Sequence, residues 1–325
     1  MWIQHVAFSF LAYVLITSQC FFLSMKNTPQ PKWKKLQFSV KEKARNWFIE
    51  RAIKNGIPWK VLYDKYDAKQ EALNSYKYIK EDRKLNYPKY YTMPFHGYDE
   101  GNLGWEAAKE AEAATVSISA NYWKGADPYD AQEWLRQNIT ENIAHYIGEV
   151  QHTSIVPNRA LDVGCSVGIS TEYVKQQFPR SHVVGIDLSP YFIGIACLRN
   201  EETQYNIEYV HANAEKTKYQ DKYFDFVVCN FLFHELPESA TKGVIQEMYR
   251  LLSPGGIFAI VDMDPDKIDA QLNNNVFRKW AFESTEPHIY KYYERNITSF
   301  LKDAGFTKLR KKENDPLNAI WLGQK

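Results

Sequence analysis

The pattern of apolar positions along the chain changes near residue 158. Beyond it, short apolar runs of strand length alternate with stretches whose apolar positions recur at helical spacing. Strands are predicted at 160–163, 183–186, 207–210, 226–229 and 257–261, with two more strand-like runs at 306–309 and 319–322. Helices are predicted at 170–178, 190–200, 240–252 and 297–304. Because this alternation is typical of βαβ units, residues 151–325 are predicted to form an α/β domain with a doubly wound, seven-stranded Rossmann-like sheet.

The chain before residue 151 has a helical pattern instead. Ser39 and Glu42 form a capping box ahead of an amphipathic stretch that ends at residue 55. Further helices are predicted at 58–66, 68–83, 105–123 and 128–150, the last with Asp127 as N-cap and Pro128 at its first position. Residues 87–104 carry two prolines, three glycines and many aromatic side chains, which predicts an ordered loop. Residues 39–150 are therefore expected to form a helical N-terminal cap, with residues 90–105 as a lid.

Residues 1–38 are predicted to be a targeting segment. The run 6–16 is apolar apart from Ser9, and Ser18 and Cys20 fit the small-residue positions of a signal-peptidase site. The lysine-containing stretch that follows has no acidic residue, which favours delivery to a plastid or another organelle. Residues 2–23 are almost long enough to span a bilayer, so an uncleaved endomembrane anchor is the alternative. The apolar segment also predicts transient contact with a membrane.

Charge and cysteine content argue against nucleic-acid and metal binding. The formal net charge of +1 gives no electrostatic footprint for nucleic acid. The densest basic run, at 308–312, is interpreted as the solvated face of a strand. The cysteines lack the spacing of metal ligands, so no metal site is predicted. Cys165, Cys197 and Cys229 lie in apolar or glycine-rich surroundings and are expected to be buried, reduced thiols.

A glycine-containing turn follows the first predicted strand. Gly164 and Gly168 let the backbone approach a ligand closely, and the helix after the turn offers free N–H groups. Asp187 ends the second strand, 19 residues beyond Gly168. A carboxylate at that position accepts hydrogen bonds from both hydroxyls of a ribose. The sequence therefore predicts a nucleotide site at the carboxyl end of the sheet.

Five motifs carry a resemblance to a known family. Residues 161–168, LDVGCSVG, resemble the first motif of class I S-adenosylmethionine (SAM)-dependent methyltransferases of the small-molecule, type 11/25-like kind. Asp162 matches the acid of that motif, which the resemblance places at the methionine end of SAM; dinucleotide-binding strands normally lack it. Residues 184–190, VGIDLSP, are similar to the second motif. Residues 212–215, 224–237 and 251–256 resemble the later motifs in the same order.

The resemblance implies SAM as the cofactor and a set of binding residues. Asn213 and Ala214 stand where the family usually has an Asp-Ala pair that contacts the adenine amino group. Ser166 replaces the middle glycine of the common first motif. The cofactor contacts implied in this way are Asp162, Gly164, Cys165, Ser166, Gly168, Asp187, Leu188, Asn213, Ala214 and Asn230.

The acceptor side is predicted from fewer residues. His234 follows the fourth strand and is the candidate catalytic base; the alternative is that it only shapes the pocket wall. Residues 230–233 lack the Asp/Asn-Pro-Pro-aromatic signature of similar nucleic-acid amino-methyltransferases, which argues against a nucleobase acceptor. Tyr91, His96 and Tyr98 of the lid are expected to line the acceptor pocket. The alternative is that these aromatic residues dock the cap onto the sheet.

The predicted function is transfer of a methyl group from SAM to a small-molecule acceptor. An NAD(P)-dependent Rossmann oxidoreductase is one alternative, since it uses a similar sheet. A non-catalytic SAM-fold regulatory protein is another, since Ser166 and Asn213 depart from the family pattern. The sequence leaves open whether O, N, S or C is methylated, and it leaves the oligomeric state open.

Overall fold

The computed structural model describes residues 43, 45–120, 122–123, 125–151, 157–268, 279 and 286–325. The predicted targeting segment, residues 1–38, lies outside the described residues, as does the capping box of Ser39 and Glu42. None of the helices that the structure describes is both long and apolar enough to cross a membrane.

Seven strands form one sheet, with the order β3-β2-β1-β4-β5-β7-β6. The strands are β1 (Arg159–Val163), β2 (His182–Asp187), β3 (Glu208–His211), β4 (Phe224–Asn230), β5 (Leu252–Met263), β6 (Thr307–Glu313) and β7 (Asn318–Gln324). The first five strands run parallel, whereas β7 is antiparallel to both β5 and β6. This confirms the predicted doubly wound α/β sheet. The strand order reverses between β1 and β4, and ligands of such sheets bind in the crevice at the carboxyl ends of the strands at that point.

Helices cover both faces of the sheet. They are α1 (Trp59–Asp67), α2 (Gln70–Lys80), α3 (Trp105–Ser119), α4 (Pro128–Gln151), α5 (Ile169–Gln177), α6 (Pro190–Thr203), α7 (Glu238–Leu251), α8 (Ile289–Tyr292) and α9 (Ile297–Asp303). Ile139 of α4, Val174 of α5 and Ile193 of α6 belong to one buried core. Met248 of α7 and Leu301 of α9 belong to the core on the other face. The central strands are mostly apolar because both of their faces are buried.

The helices before residue 151 lie close to the positions that the apolar pattern predicts. Residues 45–54 are helical, Leu73 of α2 packs into a core with α6, and Leu62 of α1 packs into a core with α3. The helix predicted to reach residue 123 ends earlier, at Ser119. Trp123 instead lies in a turn and packs edge-on against Tyr122 and Trp134 of α4. Aromatic packing in this turn therefore takes the place of the last helical turn.

Residues 87–104, which contain the predicted lid up to the start of α3 at Trp105, form an ordered loop, as predicted. An antiparallel bridge joins Phe95 to Tyr98 within it. The Tyr90 hydroxyl donates to Glu215, at 2.7 Å, and the Ser189 hydroxyl donates to the carbonyl of Asn102, at 2.6 Å. Because Glu215 follows β3 and Ser189 follows β2, these bonds hold the lid over the carboxyl end of the sheet.

The predictions from the basic run and the cysteines are also confirmed. β6 is mostly exposed, and Lys311 on it donates to Asp264 at 2.8 Å and to Asp266 at 2.9 Å. The basic run is therefore the solvated face of a strand. Cys165, Cys197 and Cys229 are buried free thiols whose pKa values are raised, chiefly by burial.

Candidate active site

The turn between β1 and α5 has a backbone conformation that favours glycine. Gly164 and Gly168 have φ angles of 69° and 88°, and Ser166 adopts a φ of 49° between them. The N–H groups of Gly164 and Cys165 both donate to the carbonyl of Ile186, at 2.9 and 3.0 Å. A Cβ on Gly168 would lie 2.4 Å from the Tyr209 hydroxyl, so no side chain fits there. The turn therefore brings Gly164, Cys165 and Ser166 to the wall of a cavity.

That cavity holds about 450 Å³, the size of a site for a small molecule or cofactor. Besides the glycine-containing turn, its lining includes Asp187 and Leu188 after β2, Asn213 and Ala214 after β3, and Asn230 at the end of β4. Of the ten cofactor residues that the sequence predicts, eight border the cavity; Asp162 and Gly168 lie behind its wall.

Asp187 presents a carboxylate to the cavity from the end of β2. One of its oxygens accepts from the N–H of Ser166 at 2.9 Å, and the other accepts from the N–H of Ser189 at 2.7 Å. These bonds fix the carboxylate and leave each oxygen a further lone pair. Burial raises the pKa of Asp187 to about 6, although the two backbone donors oppose that shift. The group is therefore ionised at neutral pH and ready to accept hydrogen bonds.

Asp162 is fully buried and is not part of the cavity lining. The Ser170 and Thr171 hydroxyls donate to one of its oxygens, at 2.6 and 2.7 Å, and the Asn230 amide lies 3.4 Å from the other. Burial raises the pKa of Asp162, and these donors limit the rise. Asp162 thus acts on the cavity through Ser170 and Asn230, which do border it. Direct contact between Asp162 and a ligand stays a prediction.

Arg136 on α4 is a site residue that the sequence did not reveal. Its side chain is buried, borders the cavity and lies over the ring of Phe231, with its Cζ 5.3 Å from the ring centroid. Nε and Nη1 are buried and have no hydrogen-bond partner among the described residues. Burial lowers the pKa of Arg136, while the charge of Asp162 opposes that shift. A guanidinium with free donors in a cavity wall is suited to bind a carboxylate.

The adenine side of the predicted site is held by the lid. Asn213 accepts from the N–H of Glu215 at 2.8 Å, and Glu215 accepts from the Tyr90 hydroxyl. His211 accepts from the N–H of Asp82 through Nδ1, at 2.9 Å, and its Nε2 lies 3.0 Å from the carbonyl of Leu188. Burial lowers the pKa of His211, which favours the neutral imidazole that this pattern needs.

His234 and Asp262 form a buried pair on the opposite side of the cavity. His234 lies in a single 3₁₀ turn (Phe233–Glu235) after β4, and its Nδ1 is 2.7 Å from Asp262 Oδ1. Asp262 also accepts from the N–H groups of Phe233 and Met263, at 2.8 and 2.7 Å. Burial disfavours the imidazolium, but the charge and hydrogen bond of Asp262, together with the charges of Glu235 and Glu286, raise the pKa of His234 to about 9. The pair orients Nε2, the nitrogen that Asp262 does not contact, for proton exchange.

Glu235, Glu286 and His96 complete the polar part of this side. His96 Nε2 lies 2.7 Å from Glu286 Oε1 and 3.7 Å from Glu235 Oε1. The negative charge of Glu286 raises the pKa of His96 against the effect of burial. Burial raises the pKa of Glu235 to about 7, although the two histidines oppose the rise. Among the described residues, no group of three or more His, Cys, Asp or Glu side chains is arranged to hold a metal ion.

The three lid residues predicted to line the acceptor pocket all border the cavity. His96 lies close to His234, since both imidazoles are within 4.0 Å of the same Glu235 oxygen. Tyr91 stacks on Tyr87 at 6.1 Å between ring centroids, and burial raises its pKa well above the usual value. Tyr98 instead donates to Glu110, and the guanidinium of Arg45 lies 4.9 Å above its ring. The hydroxyl of Tyr98 is therefore committed to the cap.

Comparisons with known proteins find similarity to methyltransferases. A family model described as "Methyltransferase domain" matches residues 161–260, which run from β1 into β5. The chain is 26% identical over 211 residues to a demethylmenaquinone methyltransferase of Deinococcus radiodurans, covering 59% of this chain and 81% of that one. It is 29% identical to an uncharacterized methyltransferase of Synechocystis, covering 64% and 84%. A solved SAM-dependent methyltransferase of Aquifex aeolicus superposes with a TM-score of 0.44 at 20% identity, covering 58% and 92%.

The chain contains a methyltransferase domain and is a SAM-dependent methyltransferase. Its methyl donor is SAM, and its acceptor is a small molecule.

The unpaired polar atoms of the cavity fit this cofactor. The free donors of Arg136 match the carboxylate of the methionine end, and the buried, unpartnered Oδ1 of Asn230 matches its amino group. Asp187 would accept hydrogen bonds from the two ribose hydroxyls, and Asn213 and Glu215, which border the same cavity, would contact the adenine edge. SAM carries a methyl group on a sulfonium, and the transfer needs a nucleophile in line with it.

Proposed function

We propose that this methyltransferase acts on an apolar aromatic hydroxyl compound and that His234 removes the proton of the reacting hydroxyl. The observation that carries the proposal is the 2.7 Å bond between His234 Nδ1 and Asp262 on the cavity wall. A carboxylate on Nδ1 fixes the ring and the tautomer and stabilises the imidazolium that forms when Nε2 takes a proton. An acceptor that reacts without first losing a proton, such as a neutral amine, needs no such base.

The proton affinities of base and acceptor are close. An unperturbed phenol has a pKa of about 10, and the pKa of His234 is about 9. A proton can therefore move from the hydroxyl to Nε2 with little cost. The resulting phenolate attacks the methyl group through oxygen, or through an activated ring carbon that then loses its own proton to solvent and restores the aromatic ring. The bond from the methyl carbon to sulfur breaks, S-adenosylhomocysteine leaves, and the proton on His234 passes to solvent.

The cavity wall supports an apolar acceptor. Around His234, its lining includes Leu232, Leu236, Val244, Met263, Ile268 and Leu317. Aromatic lid residues border the same space, among them Tyr90 and Tyr91. Pockets of this kind bind a ligand mainly through apolar area, and a few polar groups fix its orientation. The name of the Deinococcus relative specifies a quinone, an apolar ring compound, as the acceptor of that protein, which agrees with the apolar wall of this cavity.

The test is a methyl-transfer assay with acceptors that differ in the reacting group. A pentyl-substituted phenol, aniline, thiophenol and benzoic acid form a matched series, with S-adenosylhomocysteine as the measured product. We expect turnover with the phenol, and we expect His234→Asn to abolish it without changing the dissociation constant of SAM. Turnover of the aniline alone, unaffected by His234→Asn, would contradict the proposal.

We also propose that residues 1–38 direct the protein to a plastid or another organelle and contact a membrane during delivery. The support is the apolar run 6–16 followed by an acid-free stretch. A fluorescent protein fused after residue 38 should reach an organelle, whereas the same reporter without the segment should stay in the cytosol. A cytosolic distribution of the fusion that carries residues 1–38 would contradict the proposal.

A further inference from the structure

Glu286 lies in the wall of the acceptor pocket, and one of its carboxylate oxygens has no hydrogen-bond partner among the described residues. The residue is 3% exposed and borders the cavity. Its Oε1 lies 2.7 Å from His96 Nε2, whereas its Oε2 is buried and has no hydrogen-bond partner in the described part of the chain. A buried oxygen of this kind destabilises the protein unless a ligand donates a hydrogen bond to it. Oε2 of Glu286 is therefore available to accept one hydrogen bond from a ligand.

The lid holds His96 in a strained conformation that favours this contact. His96 has a φ of 51°, in the left-handed region that residues other than glycine rarely adopt. Gly97 follows with a φ of 86°. The His96 ring also packs on Phe95, with centroids 4.0 Å apart. Such strain persists where surrounding contacts enforce it, and it occurs often at ligand-binding sites. The lid thus fixes Oε1 of Glu286 and leaves Oε2, in a residue that borders the cavity, without a partner among the described residues.

The site lies next to the proposed catalytic base. Glu235 Oε1 is 3.7 Å from His96 Nε2 and 4.0 Å from His234 Nε2. One acceptor ring can therefore reach both His234 and Glu286. The two imidazoles face two carboxylates, Asp262 and Glu286, and the third carboxylate, Glu235, lies between them.

We propose that Glu286, oriented by His96, binds a second hydroxyl group of the acceptor, one that is not the site of deprotonation by His234. The inference rests on the proposed function and makes it narrower, because the preferred acceptor is then a dihydroxylated aromatic compound. The second hydroxyl donates to Oε2, and no bond other than this hydrogen bond forms. Glu286 acts in this way as a residue that determines specificity. A monohydroxy analogue leaves the buried oxygen unpaired and binds less well.

The experiment compares pentyl-substituted catechol, resorcinol and hydroquinone with the pentyl-substituted phenol. For the wild-type enzyme at saturating SAM, we expect at least one diol to exceed the phenol in kcat/KM by more than tenfold. In Glu286→Gln, the amide group presents an N–H donor to the substrate hydroxyl while its oxygen still accepts from His96. This variant should lose the preference for the diol, and the loss should appear as a higher KM for the diol than in the wild-type enzyme.

His96→Gln provides a second variant that leaves Glu286 in place. It should reduce the preference for the diol partly, because Glu286 loses its orientation. Normal binding of S-adenosylhomocysteine shows that each variant is folded. Equal kcat/KM values of the wild-type enzyme for phenol and all diols would overturn this inference and leave the proposed function intact. Absence of turnover with every aromatic hydroxyl compound would overturn both.

Discussion

His234 and Asp262 come from the ends of neighbouring strands and meet through a 2.7 Å bond between Nδ1 and a carboxylate oxygen. The parallel pairing of β4 with β5 places Asn230 beside Val261, so the residues just after both positions share one end of the sheet. Asp262 accepts, in addition, from the backbone of the turn that carries His234. The same carboxylate therefore shapes the turn and orients the imidazole.

Replacing the carboxylate by an amide should separate orientation from charge. We expect Asp262→Asn to lower kcat with the pentyl-substituted phenol by roughly 10²–10⁴-fold, because the amide no longer stabilises the imidazolium. The dissociation constant of SAM should change by less than about threefold, since Asp262 lies on the acceptor side. Steady-state kinetics and calorimetric titration measure the two quantities. A large loss of SAM affinity with normal kcat would contradict this assignment.

The pH dependence of the reaction should follow His234. The base is active as the neutral imidazole, and its pKa is about 9, so kcat/KM for the phenol should rise as the pH increases from 6 toward that value. Bound SAM brings a positive sulfonium, which should move the rise to lower pH. Asp262→Asn removes the carboxylate that raises the pKa and should shift the rise further down. A profile that falls with increasing pH in this range would be inconsistent with a histidine base.

Binding of the cofactor should weaken in acid because Asp187 becomes protonated. Its pKa is about 6 in the folded protein, and a protonated carboxyl group loses one of its acceptor positions for the ribose hydroxyls. The dissociation constant of S-adenosylhomocysteine should therefore increase as the pH falls through 6. Asp187→Ala should weaken binding more than tenfold at pH 7.5 and flatten this pH dependence. The opposite slope, or a variant with unchanged affinity, would place the ribose elsewhere.

Arg136 should affect binding and stability in opposite directions. The buried guanidinium has two nitrogens without a partner among the described residues. It therefore destabilises the ligand-free protein. We expect Arg136→Met to leave the melting temperature of the free protein unchanged or raised, while SAM binds roughly tenfold or more weakly. Thermal unfolding with and without SAM measures both effects. If the variant unfolds at a lower temperature and binds SAM normally, Arg136 is a structural residue.

Two lid residues should behave differently when they are substituted. His96→Asn should lower turnover with little effect on SAM affinity, because His96 lies beside Glu235 and Glu286 on the acceptor side. Tyr98→Phe should lower the melting temperature with nearly normal turnover, because its hydroxyl is bound to Glu110 in the cap. Similar turnover losses in both variants would show that the hydroxyl of Tyr98 also reaches the acceptor.

The sheet and the cofactor side were predictable from sequence because local patterns define them. Apolar runs of strand length marked every strand, and Asp187 was found because it follows β2 at a fixed position in the βαβ unit. The residues that were missed act over long distances in the chain. Arg136 lies in an amphipathic helix where nothing distinguishes it from a solvated arginine, and its burial depends on how α4 packs on the sheet.

The same reason explains the missed acceptor residues. Asp262 had a detectable signal, a carboxylate at the carboxyl end of the fifth strand, beside the strand that leads to His234. The contact of Glu286 with His96 joins parts of the chain 190 residues apart, so no local pattern pairs these two residues. Asp162 shows the opposite case: its motif was recognised, but its complete burial behind Ser170 and Asn230 follows from side-chain packing that a motif does not encode.

The measurement that tests the central claim most directly is a single-turnover transfer of labelled methyl from SAM to the pentyl-substituted phenol. The wild-type enzyme and His234→Asn are both saturated with SAM at pH 8, and the methylated phenol is quantified over time. The proposal predicts transfer by the wild-type enzyme and a rate constant roughly 10²–10⁴-fold lower in the variant. Equal rate constants for the two proteins would contradict the role of His234 as the base that activates an aromatic hydroxyl.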